Sequence, residues 1–391
     1  MKMQCTVKKL LLIFSFFSKI YFCCLTILRF SANFVRMEFF SSNNNLIEAF
    51  LMKLTREQRM KLHIALEHLL IKVREMKKAH PEIKEGTTEA PRPEGYVEDD
   101  PLRYPGNTEW VNLINPENEE FDKVILEILA TAPKPDPAKM AKLTDENLWV
   151  WGGPTPSWCG SMADDTLVRG ADYFGAKNVV YVYGPTNEHM MQMHSKYNKM
   201  LCQINSNCRT AGAQGNLTDE ENAEYLSKLS LQYPNIVGAM CDDVSVKFLN
   251  IALPEGFAER YHALKKYNSK LKMYGTIYVG EPETKDLSLI EPYLDVINLW
   301  FWNKDSILFY DEHIEACQKA FPGKPILQGI FMHEYGRTNA GNLIELLKYQ
   351  LDKAREYMAK GIVEGVVILG DREIKKWPAV AEALREYLQN Q

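Results

Sequence analysis

The sequence lacks the marks of several large protein classes. No Cys-x-x-Cys pair occurs in its 391 residues, and three of the eight cysteines (Cys5, Cys23, Cys24) fall within the first 24 positions. The other five, Cys159, Cys202, Cys208, Cys241 and Cys317, are an odd, scattered set that suits neither a disulfide framework nor a zinc site. They read as small buried hydrophobes, with Cys202 and Cys208 able to pair only in an exported protein. Basic charge is not in excess: Lys plus Arg is 46 against 51 for Asp plus Glu, a net charge of -5, so no nucleic-acid partner is expected. Against the about 20 predominantly apolar residues that a bilayer span takes, the N-terminal apolar runs make a marginal membrane segment. The runs 10–17 and 20–28 are split by Ser18 and Lys19 and closed by Arg29.

What is present is an ordinary globular balance, 46% hydrophobic and 25% charged. Residues 1–36, opening with Lys8 and Lys9 before the apolar runs, have two readings. Either they are a signal or anchor, making the protein secreted or membrane-anchored with membrane contact only through 8–29, or translation starts at Met37 and the protein is cytoplasmic. Residues 37–81 form a helical extension. Thr55 and Gln58 have capping-box spacing, and Leu62, Leu66, Leu69, Leu70 and Val73 follow at helical spacing as far as about Lys78. Residues 82–142 read as a Pro- and Glu-rich linker with a short helix over 118–131, broken by Pro133, Pro135 and Pro137. The chain ahead of about residue 105 is expected to pack loosely.

From residue 143 onward, short β-branched and apolar runs alternate with helical patterns. The runs are 148–151, 179–183, 200–204, 236–241, 273–279, 296–301, 326–331 and 366–369, the third being the weakest. Between them lie amphipathic stretches, among them 165–174, a capping box at Thr218 and Glu221, and 342–360 followed by Gly361. Alternation of this kind implies parallel strands with right-handed crossovers, and eight units in some 250 residues is the size of a (β/α)8 TIM barrel. The rival doubly wound sheet wants Gly-x-Gly-x-x-Gly after an early strand, where this chain has Gly152-Gly153-Pro154. The predicted architecture is therefore α/β, a (β/α)8 barrel over 143–391 with an N-terminal helical extension.

In such a barrel the site lies where the strands end. The expected exits carry Trp158, then Tyr183, Asn187 and Glu188, then Asp242-Asp243, Glu281, Trp300 with Trp302 and Asn303, His333-Glu334-Tyr335, and Asp371. Strand alternation lets only one of Asp242 and Asp243 face the mouth, the other capping the turn. Glu334 and Glu281 are the alternatives for a second carboxylate. Two carboxylates across a cleft are what glycosidic cleavage requires. Trp158 and Trp302 read equally as platforms that stack on sugar rings or as plain packing residues; in the first case Asn187, Glu188 and Asn303 would bond hydroxyls. The first run, Leu-Trp-Val-Trp, has no His-x-His for a metal, and 296–301 has no lysine for a Schiff base. No cofactor and no metal are expected. Gly336-Arg337 and Gly370-Asp371-Arg372 leave a phosphosugar grip as a minor reading.

Over 143–391 the eight units, the acidic residues after the fourth and seventh runs and the Trp-rich exits resemble the (β/α)8 glycoside hydrolases. The resemblance implies a carbohydrate partner, an oligosaccharide or glycoconjugate, and acid/base catalysis by Asp242 or Asp243 with Glu334 or Glu281. Many of those families carry Asn-Glu after the fourth strand where this chain has Asp-Asp, and others use an Asp there as nucleophile. The alternative is a non-catalytic carbohydrate-binding barrel, which would keep the tryptophans and need fewer carboxylates.

Overall fold

The computed structural model describes residues 50–79, 108–154, 163–205, 217–244, 255–301, 304–330, 341–370, 374 and 378–391. Eight parallel strands close into a barrel in sequence order. They are β1 (Leu148–Gly152), β2 (Asn178–Tyr181), β3 (Lys199–Gln203), β4 (Ile236–Cys241), β5 (Lys272–Tyr278), β6 (Val296–Trp300), β7 (Ile326–Gly329) and β8 (Val363–Leu369). The barrel read from the alternation is the one observed.

The helices are α1 (Arg56–Ala79), α2 (Thr108–Thr131), α3 (Thr166–Phe174), α4 (Glu188–Met193), α5 (Asp219–Gln232), α6 (Glu255–Lys265), α7 (Glu281–Thr284), α8 (Tyr310–Ala320), α9 (Gly341–Ala359) and α10 (Pro378–Gln389). Local chemistry sets their ends. Thr218 and Glu221 form a reciprocal capping box on α5, and Thr55 and Gln58 make the equivalent pair of bonds ahead of α1. Gly361 follows α9 in the left-handed region (φ 74°), which a side chain would disfavour.

Register fixes which side chains fill the barrel. The pairings Tyr278↔Trp300, Trp300↔Gly329, Gly329↔Val367 and Trp151↔Leu369 carry one orientation around the ring. Trp149, Trp151, Tyr274, Tyr278 and Trp300 therefore point inward with Asn298 and Thr276. The large ring of Trp300 needs room that β7 supplies: a Cβ on Gly329 would lie 2.1 Å from it. That close approach is why a glycine stands in this strand.

Three departures from the sequence reading have physical causes. The second run ends as a strand at Tyr181, two residues early, because Tyr183 adopts φ 71° and leaves the sheet. The helix read over 118–131 begins ten residues earlier and continues through Pro116. The third concerns the extension, whose residues 50–79 are not loose. Leu62, Ala65, Leu70 and Met76 are buried on α1, and Phe121, Val124, Ile125, Ile128 and Leu129 on α2. Phe50 stacks on Phe309 (5.5 Å), and Lys53 pairs with Glu312 (2.5 Å) at the start of α8. Lys304, just beyond β6, is buried against Asp122 of α2 at 2.6 Å, which ties the extension to the rim of the barrel. The stretch 82–105 and the apolar runs within 8–29 lie outside the described residues. Among those described, no helix is long and apolar enough to cross a membrane.

Candidate active site

A chain of hydrogen bonds runs along the C-terminal rim from β1 to the helix after β5. Trp151 Nε1 donates to the Tyr183 hydroxyl (3.1 Å), and the Tyr183 amide donates to Gln203 Oε1 (2.9 Å). Gln203 Nε2 donates to Asn205 Oδ1 (3.2 Å), and Asn205 clasps the Asp242 backbone, donating to its carbonyl (2.6 Å) and accepting from its amide (3.1 Å). Asp242 Oδ1 accepts the amide of Asp243 (3.1 Å). The Tyr278 hydroxyl donates to Asp243 Oδ1 (2.7 Å), and the Tyr278 amide donates to Glu281 Oε2 (2.9 Å). Glu281 Oε1 then meets Lys285 Nζ at 3.0 Å. Such a chain fixes each member through two neighbours and holds the rim in one arrangement.

Two residues of this rim, Tyr183 (φ 71°) and Asp243 (φ 52°), are the non-glycine residues in the left-handed region among those described. Side chains there carry strain of order 1–3 kcal/mol, which persists where surrounding bonds over-determine the position. The rim bonds do so here. The turn at Asp243 also breaks strand alternation. Asp242 has the inward parity of Gly238 and Met240, yet Asp243 reaches the phenol of Tyr278, itself inward-facing.

The carboxylates differ in what they do. Asp242 accepts a backbone amide within its own turn, the capping behaviour expected of one member of the pair. Asp243 is gripped by a side chain from the neighbouring strand. Glu281 is buried at 1% exposure and spends its two oxygens on Tyr278 and Lys285. Below the rim, Trp151 and Trp300 meet edge to face (5.7 Å, 83°). Trp300 Nε1 donates to Asn298 Oδ1 (2.7 Å), whose Nδ2 donates to the Leu327 carbonyl (2.9 Å).

Tyr183, Asp242, Asp243 and Glu281 are thus brought together by one bonded arc. Trp300 lies in the floor at 4% exposure, packed as core. Asn187 caps α4, its Oδ1 accepting the Met190 amide at 2.9 Å, and Glu188 is the exposed first residue of that helix. Trp158, Trp302, Asn303, His333, Glu334, Tyr335 and Asp371 lie outside the described residues. Tyr278, Asn205, Gln203 and Trp151 were missed in the sequence. The signal for Tyr278 was parity, since it ends β5 in phase with Tyr274 and Thr276.

Among the described residues no group of three His, Cys, Asp or Glu side chains could hold a metal ion. Cys202 and Cys317 are buried thiols, and burial pushes both up, away from the reactive thiolate form.

Similar solved structures include glycoside hydrolases. A GH2 β-galacturonidase from Eisenbergiella tayi matches with a TM-score of 0.44 and 13% identity, over 64% of this chain and 51% of that one. A β-glucuronidase from Ruminococcus gnavus in complex with D-glucuronic acid gives 0.43 and 10%, over 63% and 49%. A GH10 xylanase from Thermobacillus composti gives 0.40 and 11%, over 58% and 85%. The chain spans about half the length of the first two. The likeness is one of barrel fold, and no single family is fixed. No family model matches the sequence, and no curated protein matches it.

Proposed function

We propose that the protein is a glycoside hydrolase-like enzyme that cleaves a glycosidic bond with two carboxylates at the barrel mouth. The observation that carries this reading is Asp243, a carboxylate on a left-handed turn at the end of β4, oriented by the Tyr278 hydroxyl. An oriented carboxylate suits the nucleophile or base of such a reaction. Glu281, buried and paired with Lys285, serves as the anchor of Tyr278 rather than as a reacting acid. The proton donor is then assigned to Glu334, beyond β7 in the sequence. Carbohydrate is the proposed partner, with Trp158 and Trp302 as stacking residues.

Turnover of a panel of aryl glycosides and oligosaccharides by the parent protein, Asp243→Asn and Glu334→Gln tests the reading. Loss of about 10³-fold in kcat in both variants, with unchanged folding, supports the pair. A parent protein that binds glycans and hydrolyses none of the panel is a carbohydrate-binding barrel, and the catalytic assignment is then wrong.

A further inference from the structure

The outer face of α1 carries an apolar stripe. Met60, Ile64 and Ile71 are 51%, 47% and 43% exposed. With 3.6 residues per turn they lie within about 40° of one another, on the side opposite the face that packs on α2. The α2-facing side is already supplied with Leu62, Ala65, Leu69 and Met76. The stripe is therefore additional to what the fold needs, and large apolar side chains aligned on one exposed helix face point to a partner.

The charges at its ends specify that partner. Arg56 and Glu57 are exposed at the start of the helix, and Arg74 and Glu75 are exposed near its end. When the helix is laid antiparallel on a copy of itself, with the two-fold axis between positions 65 and 66, Glu57 falls opposite Arg74 and Arg56 opposite Glu75. The same register sets Met60 against Ile71 and Ile64 against Glu67. Each contact occurs twice, as a two-fold interface requires. Lys78 falls opposite Lys53, whose charge Glu312 already meets. A parallel arrangement would instead set like charges side by side at both ends.

We infer that the protein self-associates as a two-fold dimer through antiparallel pairing of the outer faces of α1. The occupant of the stripe is a second copy of this chain. One helix pair covers less than the ~800 Å² per partner of a standard complex, so the dimer dissociates, with Kd roughly in the micromolar range. Electrostatic pairing of this kind selects register and partner more than it adds affinity.

Sedimentation velocity of the full chain across a concentration series tests this. The parent should shift from monomer toward twice the 45.0 kDa chain mass. Glu57→Arg alone and Arg74→Glu alone should each weaken the dimer about tenfold or more, because both place like charges opposite one another twice. An equimolar mixture of the two should restore association, since every such pair is then opposite in sign, and so should the double variant. Ile64→Glu should abolish association without changing thermal unfolding, because that side chain is exposed. A parent that stays monomeric to about 100 μM overturns the inference, as does a dimer unaffected by all of these changes. Stripe-dependent binding to anionic vesicles by a monomeric parent assigns the face to a membrane and overturns it too.

Discussion

The phenol of Tyr278 and the carboxylate of Asp243 meet at 2.7 Å across adjacent strand ends, and each is held from behind by backbone bonds of its own strand exit. Tyr278 leans on Glu281 through its amide, and Asp243 leans on Asp242 through its own. Three linked hydrogen bonds thus position the Asp243 carboxylate.

Tyr278→Phe removes the phenolic donor and keeps the ring. It should lower kcat by about 10- to 100-fold on any glycoside the parent cleaves, with KM changing less, because orientation matters most in the transition state. Steady-state kinetics beside a thermal melt separates this from unfolding. Unchanged kcat and KM would remove Tyr278 from the site.

Asp242→Asn should be milder than Asp243→Asn. The amide oxygen of Asn can still accept the Asp243 backbone N–H, so the turn survives. We expect less than about tenfold loss in kcat for the former and about 10³-fold for the latter. Equal losses would make the two carboxylates one functional unit.

Asp122→Ala removes the carboxylate that is ion-paired with buried Lys304. Breaking a buried pair by removing one member costs about 3–5 kcal/mol, read as a lower urea midpoint. Asp122→Leu combined with Lys304→Met should recover most of that loss, since no charge is then stranded. Recovery distinguishes ion pairing from simple packing of α2.

His194 is fully buried, and its Nδ1–H donates to the Met190 carbonyl at 2.7 Å. Burial holds its imidazole below the usual 6.5. The folded state thus binds a proton less readily than the unfolded chain. The associated stability is fully present above pH 6.5 and is lost as pH falls through the folded-state value. Urea unfolding between about pH 7.5 and 5 should show this decline, and His194→Gln should flatten its slope whatever it does to the absolute stability.

Trp300→Ala should cost about 3–5 kcal/mol, because the ring fills the floor beside Trp151 and Gly329. Gly329→Ala should also destabilise, since the added methyl meets that ring. A Trp300→Ala melt close to that of the parent would mean the floor is not packed as described.

The barrel was legible because its signal is repeated: eight apolar runs of similar length, each followed by a helical pattern, leave few topologies. The rim was legible only in part. Asp242-Asp243 and Glu281 stood out as acids following apolar runs, whereas Tyr278 looked like one more strand aromatic until register showed its direction. Alternation alone was a poor guide at Asp243, because one left-handed residue re-aims the chain and nothing in Asp-Asp announces a positive φ. The packing of α1 and α2 was hidden by distance. Asp122 and Lys304 are ordinary surface residues in a local window, and only the closed fold brings them together.

That separation also sets an order of events in synthesis. Lys304 bonds the Asn118 carbonyl across 186 positions of chain. α2 leaves the ribosome well before β6 exists, so the apolar face of Phe121, Ile125 and Leu129 must wait with no barrel to cover it. At about 5–20 residues per second that interval lasts roughly ten to forty seconds. During it α1 is the neighbour available to shield α2, so the helical pair acts as a temporary cover for its own hydrophobic face. Closure of the late strands would then be the slow, non-local step that locks the N-terminal helices to the rim.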